Sequence, residues 1–370
     1  MIEEKRQSGA ALLDLTTSNP TEALADYPHG QINRAYAEVS DFRYQPDAFG
    51  ALQAREAVAT EYAKRGLPVS PEQVALTAST SEAYALLFKM FCDAGDEVLV
   101  PVPSYPLFEY LARLECVNVV PYPLVYDGNW YIDFPHLKQQ INARTRAIVI
   151  VNPNNPTGSF LKTRERSTLA ELAAEYGLPI ISDEVFMDYS IEENSGAART
   201  MVDCDEVLNF SLNGLSKMAG MPQVKLGWIV VSGPKDSVET ARMRLELILD
   251  TYLSVNTPAQ YALRDLFEIG AHVQAKLSEC VRQNYSFLRT ELASSAIHML
   301  RAEGGWSAVL QLPRIMPEEV WIKRLLAEQN VVVQPGYFFD MPSEAYAVVS
   351  LITQPQIMAE GVGRLQSLLA

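Results

Sequence analysis

The stretch Ser211-Leu-Asn-Gly-Leu-Ser-Lys-Met-Ala-Gly-Met-Pro-Gln-Val-Lys-Leu-Gly-Trp228 sets Lys217 among small and apolar residues. Before it, the apolar run Val207-Leu-Asn-Phe-Ser211 predicts a buried strand. After it comes a Gly/Pro turn, and Leu226-Gly-Trp-Ile-Val-Val231 predicts another strand. A lysine on a loop between buried strands has its charged form disfavoured. Such an amine can be neutral near physiological pH and attack a carbonyl to form a Schiff base. A surface lysine whose aliphatic stem covers apolar area would fit this stretch equally well, so the rest of the chain has to decide.

The chain has 370 residues, which implies about two domains rather than one core. Its 48% hydrophobic content suits a globular protein. No apolar run approaches the roughly 18 residues of a membrane span. The start, Met1-Ile-Glu-Glu-Lys-Arg6, has no apolar leader region, and the expectation is a cytoplasmic protein. Cys92, Cys116, Cys204 and Cys280 lack paired spacing, so neither a disulfide framework nor a metal site is expected. A net charge of −15 argues against nucleic-acid or anionic-membrane partners. An anionic ligand would have to be held by local groups.

Asn19-Pro20 marks a turn, and Tyr44-Gln-Pro-Asp-Ala-Phe-Gly50 reads as a loop before a helix from Ala51 to Arg65. Ser79-Thr-Ser-Glu82 has the capping-box pattern and predicts a helix running to Phe91 and stopping at Gly95. The free N–H groups and hydroxyls of such a helix start also suit an anion. Glu97–Pro103 reads as a strand closed by proline, followed by Ser104-Tyr-Pro106. Ala147-Ile-Val-Ile-Val151 is a continuous apolar run, the pattern of a strand buried on both faces. Asn152 to Gly158 is then the turn at its C-terminal end, where open α/β sheets bind ligands. A helix from Leu161 to Tyr176 and a strand from Pro179 to Asp183 follow. The chain from Asp236 to Ala293 is mostly helical, with a stretch from Gly270 long enough to join two domains. Gly304–Leu312 and Val331–Gly336 read as strands, with Glu318–Glu328 and Gln356–Leu369 as helices.

Four of these segments stand in an order that resembles the fold-type I, pyridoxal-phosphate-dependent aminotransferases of classes I and II. They are Thr77-Ala-Ser-Thr-Ser-Glu-Ala83, Asn152-Pro-Asn-Asn-Pro-Thr-Gly158, Ser182-Asp-Glu-Val-Phe186, and Leu215-Ser-Lys217 with Lys225-Leu-Gly227. Each is weak alone. Together they cover nearly the whole chain. The resemblance implies an α/β fold with a mostly parallel sheet between helices in a large domain, and a smaller α+β domain. It divides the chain into an N-terminal arm with part of the small domain (1–30), a large cofactor-binding domain (31–270), and an interdomain helix with the small domain (271–370). Lys217 would hold pyridoxal 5'-phosphate as an aldimine and move the substrate proton. Asp183 would keep the ring nitrogen protonated, so that the ring acts as an electron sink. Tyr105 would stack on the ring, Asn155 would bond its 3-oxygen, and Ser79, Thr80, Ser81, Ser216 and Lys225 would hold the phosphate. Tyr44 would reach the phosphate of the neighbouring subunit of a homodimer. Asn19, Asn155 and Tyr105 would touch substrate.

Three positions depart from the family pattern. Phe186 stands where a tyrosine usually donates to the 3-oxygen, and Lys225 where many members have arginine. Val348 stands where an arginine normally clamps the substrate α-carboxylate. The expected reaction is amino transfer between an amino donor and a 2-oxo acid, with an atypical substrate. Arg34, Arg43 or the backbone near Asn19 could supply the missing charge. C–S elimination, decarboxylation or racemisation on the same scaffold stays open, because fold does not fix function. A non-enzymatic regulator would need a DNA-binding module, and neither a helix-turn-helix extension nor a basic patch is visible.

Overall fold

The computed structural model describes residues 1–192 and 196–369. Its centre is an eight-stranded sheet. In chain order the strands are β1 (Val74–Thr77), β2 (Glu97–Val102), β3 (Asn118–Tyr126), β4 (Trp130–Ile132), β5 (Thr145–Val151), β6 (Ile180–Asp183), β7 (Asn209–Gly214) and β8 (Gly227–Ser232). Across the sheet they lie in the order β1-β8-β7-β6-β5-β2-β3-β4. Strands β7, β6, β5, β2 and β3 pair in parallel, whereas β8 runs antiparallel to both β7 and β1. The apolar runs predict this burial. Ile148, Val149 and Ile150 of β5, and Ile180 and Ile181 of β6, are buried in cores on the two faces of the sheet. Each such side chain contributes about 1.5–3 kcal/mol relative to an exposed one.

Helix α1 (Thr80–Phe91) starts where the capping box predicts. Ser79 Oγ accepts from the Glu82 N–H at 3.1 Å, and Glu82 Oε2 accepts from the Ala78 N–H at 2.6 Å. Its inner face, Ala83, Leu86, Leu87 and Phe88, packs on one side of the sheet. Helix α2 (Thr163–Tyr176) follows β5, and α3 (Lys235–Tyr252) follows β8. Helix α4 (Leu263–Glu291) is 29 residues long and starts before the predicted Gly270. It buries Leu263, Leu266, Gly270, Val273, Leu277, Val281, Asn284 and Leu288 at three- and four-residue spacing, a stripe facing the core. Gly270 is required at its crossing of the Lys217 turn: a Cβ there would stand 2.5 Å from Ala219 Cβ.

The C-terminal part builds a second sheet from β9 (His298–Met299), β10 (Ser307–Gln311), β11 (Gln334–Pro335) and β12 (Tyr346–Ser350), in the order β9-β10-β12-β11. Leu13–Asp14 pairs in parallel with Val331–Val332, so the N-terminal segment is tied to this second unit. No sequence pattern predicts β3 and β4. Pro121 and Pro123 interrupt the β pattern there, and β3 is held by β2 and β4.

Candidate active site

Most of the candidate residues gather at one end of the large sheet. Strands β1, β5, β6 and β7 all end there, and β8 begins there, with Gly214 opposite Gly227 and Gly227 opposite Thr77. Three chain segments are thereby brought side by side: Ala78–Ser81, Leu215–Met218 and Lys225–Gly227. Gly227 permits the contact, since a Cβ on it would stand 3.3 Å from the Ser79 carbonyl carbon and 3.4 Å from Thr77 Oγ1.

Lys217 lies in a four-residue helix directly after β7. Its ammonium is 5.1 Å from the Trp306 ring centre and 5.9 Å from that of Phe186. Tyr189 packs edge-on to Trp306 and donates its hydroxyl to the Lys217 carbonyl at 2.7 Å, which fixes the backbone under the amine. Burial pulls the lysine below its ordinary pKa, and Asp183 pulls it back up. The result is the partly desolvated amine that the stretch 211–228 predicts.

Asp183 is the last residue of β6. Its Oδ1 accepts from the Val185 N–H and its Oδ2 from the Tyr84 hydroxyl, each at 3.2 Å. Burial pushes its carboxyl up to about 6, against the opposing pull of Val185, Tyr84 and Lys217. Next to it Glu184 is fully buried and accepts from Ser182, Thr200 and Ser211 hydroxyls and the Met201 N–H. Burial raises this carboxyl to about 7 despite those donors. Glu184 ties β6 to β7 and so holds the strand end that presents Asp183.

Asn155 stands after β5, half-buried, and its Oδ1 accepts from Ser307 Oγ at 3.0 Å. This leaves its amide N–H groups for another acceptor. Ser79, Thr80 and Ser81 form the α1 N-terminus, where free N–H groups and the dipole favour an anion. Ser216 precedes Lys217, and Lys225 is exposed in a left-handed turn at the same end of the sheet.

Other predicted residues sit differently. Tyr105 is 45% exposed and lines a hollow with Phe108, Glu109, Arg113 and Asp340. Among the described residues no ring contact or hydrogen bond joins it to Lys217, Asp183 or Asn155. The Asn19 side chain caps a short helix, with Oδ1 accepting from Thr21 and Nδ2 donating to Glu22. Arg43 is exposed and paired with Asp41, and Arg34 borders an open groove with Asp26, Glu38 and Asp265. Tyr44 is 74% exposed. Phe186 offers a ring, not a donor, against Trp306. Val348 is 1% exposed, opposite Val309 on the sheet face that Ser307 also occupies. Sequence reasoning missed Tyr84, Glu184, Tyr189, Trp306 and Ser307. Trp306 sits in the predicted strand 304–312, but nothing in the sequence signals its approach to Lys217.

Comparison with known proteins decides the family. The aminotransferase class I and II family matches residues 12–354. The chain belongs to the class I and II aminotransferases. It is 30% identical over 267 residues to the glutamate–pyruvate aminotransferase AlaA of Escherichia coli, covering 71% of this chain and 65% of that enzyme. The matched segment thus spans just under two thirds of that relative's length. Alanine aminotransferase of Mycobacterium tuberculosis is 26% identical, covering 98% of this chain and 86% of that one. An alanine aminotransferase structure from Pyrococcus furiosus has the same fold, with a TM-score of 0.89 and 23% identity over 100% of this chain and 94% of that one.

The residues fit pyridoxal 5'-phosphate, the cofactor of this family. A helix N-terminus beside Lys225 suits its phosphate, a half-buried carboxylate its ring nitrogen, an oriented amide its 3-oxygen, and a half-buried primary amine its aldehyde.

Proposed function

We propose that this member of the family is a pyridoxal-phosphate-dependent aminotransferase acting through Lys217. The observation that supports it most is the half-buried Lys217 amine, set beside the Trp306 and Phe186 rings and facing the half-buried carboxylate of Asp183. The bound cofactor supplies an electron sink for a substrate carbanion. Thr80, Ser81, Ser216 and Lys225 hold its anionic end. Asn155 orients it through the 3-oxygen, and Asp183 keeps a proton on its ring nitrogen. Tyr105 would be the aromatic neighbour of the ring. Lys217 would carry the cofactor through its amine and would move the substrate Cα proton as general acid and base. Aromatic walls exclude water from that proton transfer.

The names of the relatives put alanine, glutamate and pyruvate first among substrates to try. Val348 argues that a carboxylate there has no guanidinium partner, and desolvating it uncompensated is costly. An atypical donor, or another anchor for its carboxylate, follows. A donor and acceptor screen tests both points. The expected result is stoichiometric 2-oxo-acid release from a donor without acceptor, then amine delivery to a second 2-oxo acid. Release of carbon dioxide, sulfide or racemised donor instead would favour the other chemistries of this scaffold. In the same screen, Val348→Arg should not improve alanine, glutamate or aspartate, because its guanidinium would be buried among Val309 and Phe339. A tenfold gain in kcat/KM, about 1.4 kcal/mol, would contradict the atypical substrate.

The active unit proposed here is a homodimer. Phe42 and Tyr44 are strongly exposed on one loop, and Met243, Leu247 and Tyr252 are exposed on α3. Tyr44 and the end of α3 border one hollow with Ser254, which in turn donates to Glu82 in the first turn of α1. The apolar patch therefore runs up to the phosphate-binding end of α1, where Tyr44 of the partner subunit would arrive. Leu247→Glu should give a monomer by sedimentation, with weakened cofactor binding. A wild-type monomer with full activity at micromolar concentration would refute the shared site.

A further inference from the structure

Tyr84 is buried in the second turn of α1, the helix whose first turn faces the phosphate position. Its ring lies edge-on to Phe108 at 5.2 Å and tilted against Phe88 at 5.9 Å. Packing of that kind asks only for a phenylalanine. The hydroxyl is extra, and a buried hydroxyl without a partner is costly. Among the described residues its one hydrogen-bond partner is Asp183 Oδ2, at 3.2 Å.

We infer that Tyr84 is a positioning residue that keeps Asp183 ionised and aims its carboxylate at the cofactor ring nitrogen. The inference rests on the reading of Asp183 given above. The groups facing Asp183 are few. The Val185 N–H serves Oδ1, Tyr84 serves Oδ2, and Lys217 is the facing charge. Tyr122, the next phenol along, donates to the Val149 carbonyl at 2.7 Å instead. Burial raises the Tyr84 phenol far above its ordinary range, so it stays protonated and acts as a donor. A donor stabilises the carboxylate over the acid. With one lone pair of Oδ2 on Tyr84, the other is directed rather than free to rotate. A single rigid helix then governs both ends of the cofactor: Thr80 and Ser81 at the phosphate, Tyr84 through Asp183 at the ring nitrogen.

Tyr84→Phe removes the donor and keeps the packing. In the full-length protein without cofactor, the Asp183 carboxyl should titrate about one pH unit higher, a tenfold change in its protonation equilibrium. Infrared difference spectra against Asp183→Asn isolate that band. In the loaded protein, nitrogen NMR of cofactor labelled at its ring nitrogen should move toward the unprotonated signal, because a more basic carboxylate draws the proton to itself. Fluorinated tyrosine at position 84, a stronger donor of the same shape, should move the Asp183 titration the opposite way. An unchanged Asp183 titration in both variants would overturn the inference, whatever happened to stability. If Asp183→Asn itself left the ring-nitrogen signal unchanged, the reading of Asp183 would fall and the inference with it. A changed signal in Asp183→Asn with a wild-type signal in Tyr84→Phe would overturn the inference alone.

Discussion

Lys217→Ala is expected to lower turnover by about four orders of magnitude or more, because one residue supplies both the attachment amine and the proton carrier. The fold should survive the change. Tyr189 binds the Lys217 carbonyl, which the substitution leaves in place, and the aromatic cluster of Phe186, Tyr189 and Trp306 packs without the amine. The variant should even resist urea slightly better at neutral pH, since burial depresses the lysine and holding its charged form costs stability there. Single-turnover assays and urea titrations on the same preparation check both halves. A variant retaining a tenth of the wild-type rate would show that the chemistry runs through another group.

Asp183→Asn should cost a factor of about 100 to 1,000 in kcat, the size of effect when a buried charge loses its partner. Its effect on the protein without cofactor has the opposite sign. The Asp183 carboxyl titrates at about 6 when folded, against the ordinary 3.8, so the folded protein holds that proton more tightly than the unfolded chain. The stability this contributes is fully present below 3.8 and is lost as pH rises through about 6. At neutral pH the wild type has lost it, and asparagine, whose oxygen can accept from Val185 while its amide donates to the Tyr84 oxygen, has no proton to lose. The variant without cofactor should therefore be more stable than wild type at neutral pH by about 3 kcal/mol, and the difference should shrink toward zero as pH falls to the ordinary carboxylate range. Chemical unfolding across that range checks it. A fully active variant, or one destabilised at neutral pH, would rule out the role assigned to Asp183.

Local signals made much of the fold legible. The Ser79–Glu82 capping box marks the start of α1 to the residue, and the apolar run 147–151 marks a central strand. The site was legible where chemistry and strand ends coincide, as at Lys217 and Asp183. It was less so where tertiary packing chooses the partner. Tyr84 looks like any apolar helix residue until α1 lies on the sheet beside β6. Trp306 reaches Lys217 from the second sheet, 89 residues along the chain by their numbers. Glu184 sits inside a recognised motif, yet its network of Ser182, Thr200 and Ser211 depends on how β6, β7 and the 200 region meet. The Asn19 cap shows the reverse case, a local bond to Thr21 that motif order does not reveal.

The central claim is that Lys217 carries the cofactor, and reductive trapping tests it most directly. The protein loaded with pyridoxal 5'-phosphate is reduced with borohydride, digested, and its peptides mapped by mass spectrometry. The account predicts a single pyridoxyl group on Lys217, within the peptide containing Leu215-Ser216. A label on Lys225 or any other lysine, or no label on a protein that still transfers amino groups, would contradict it.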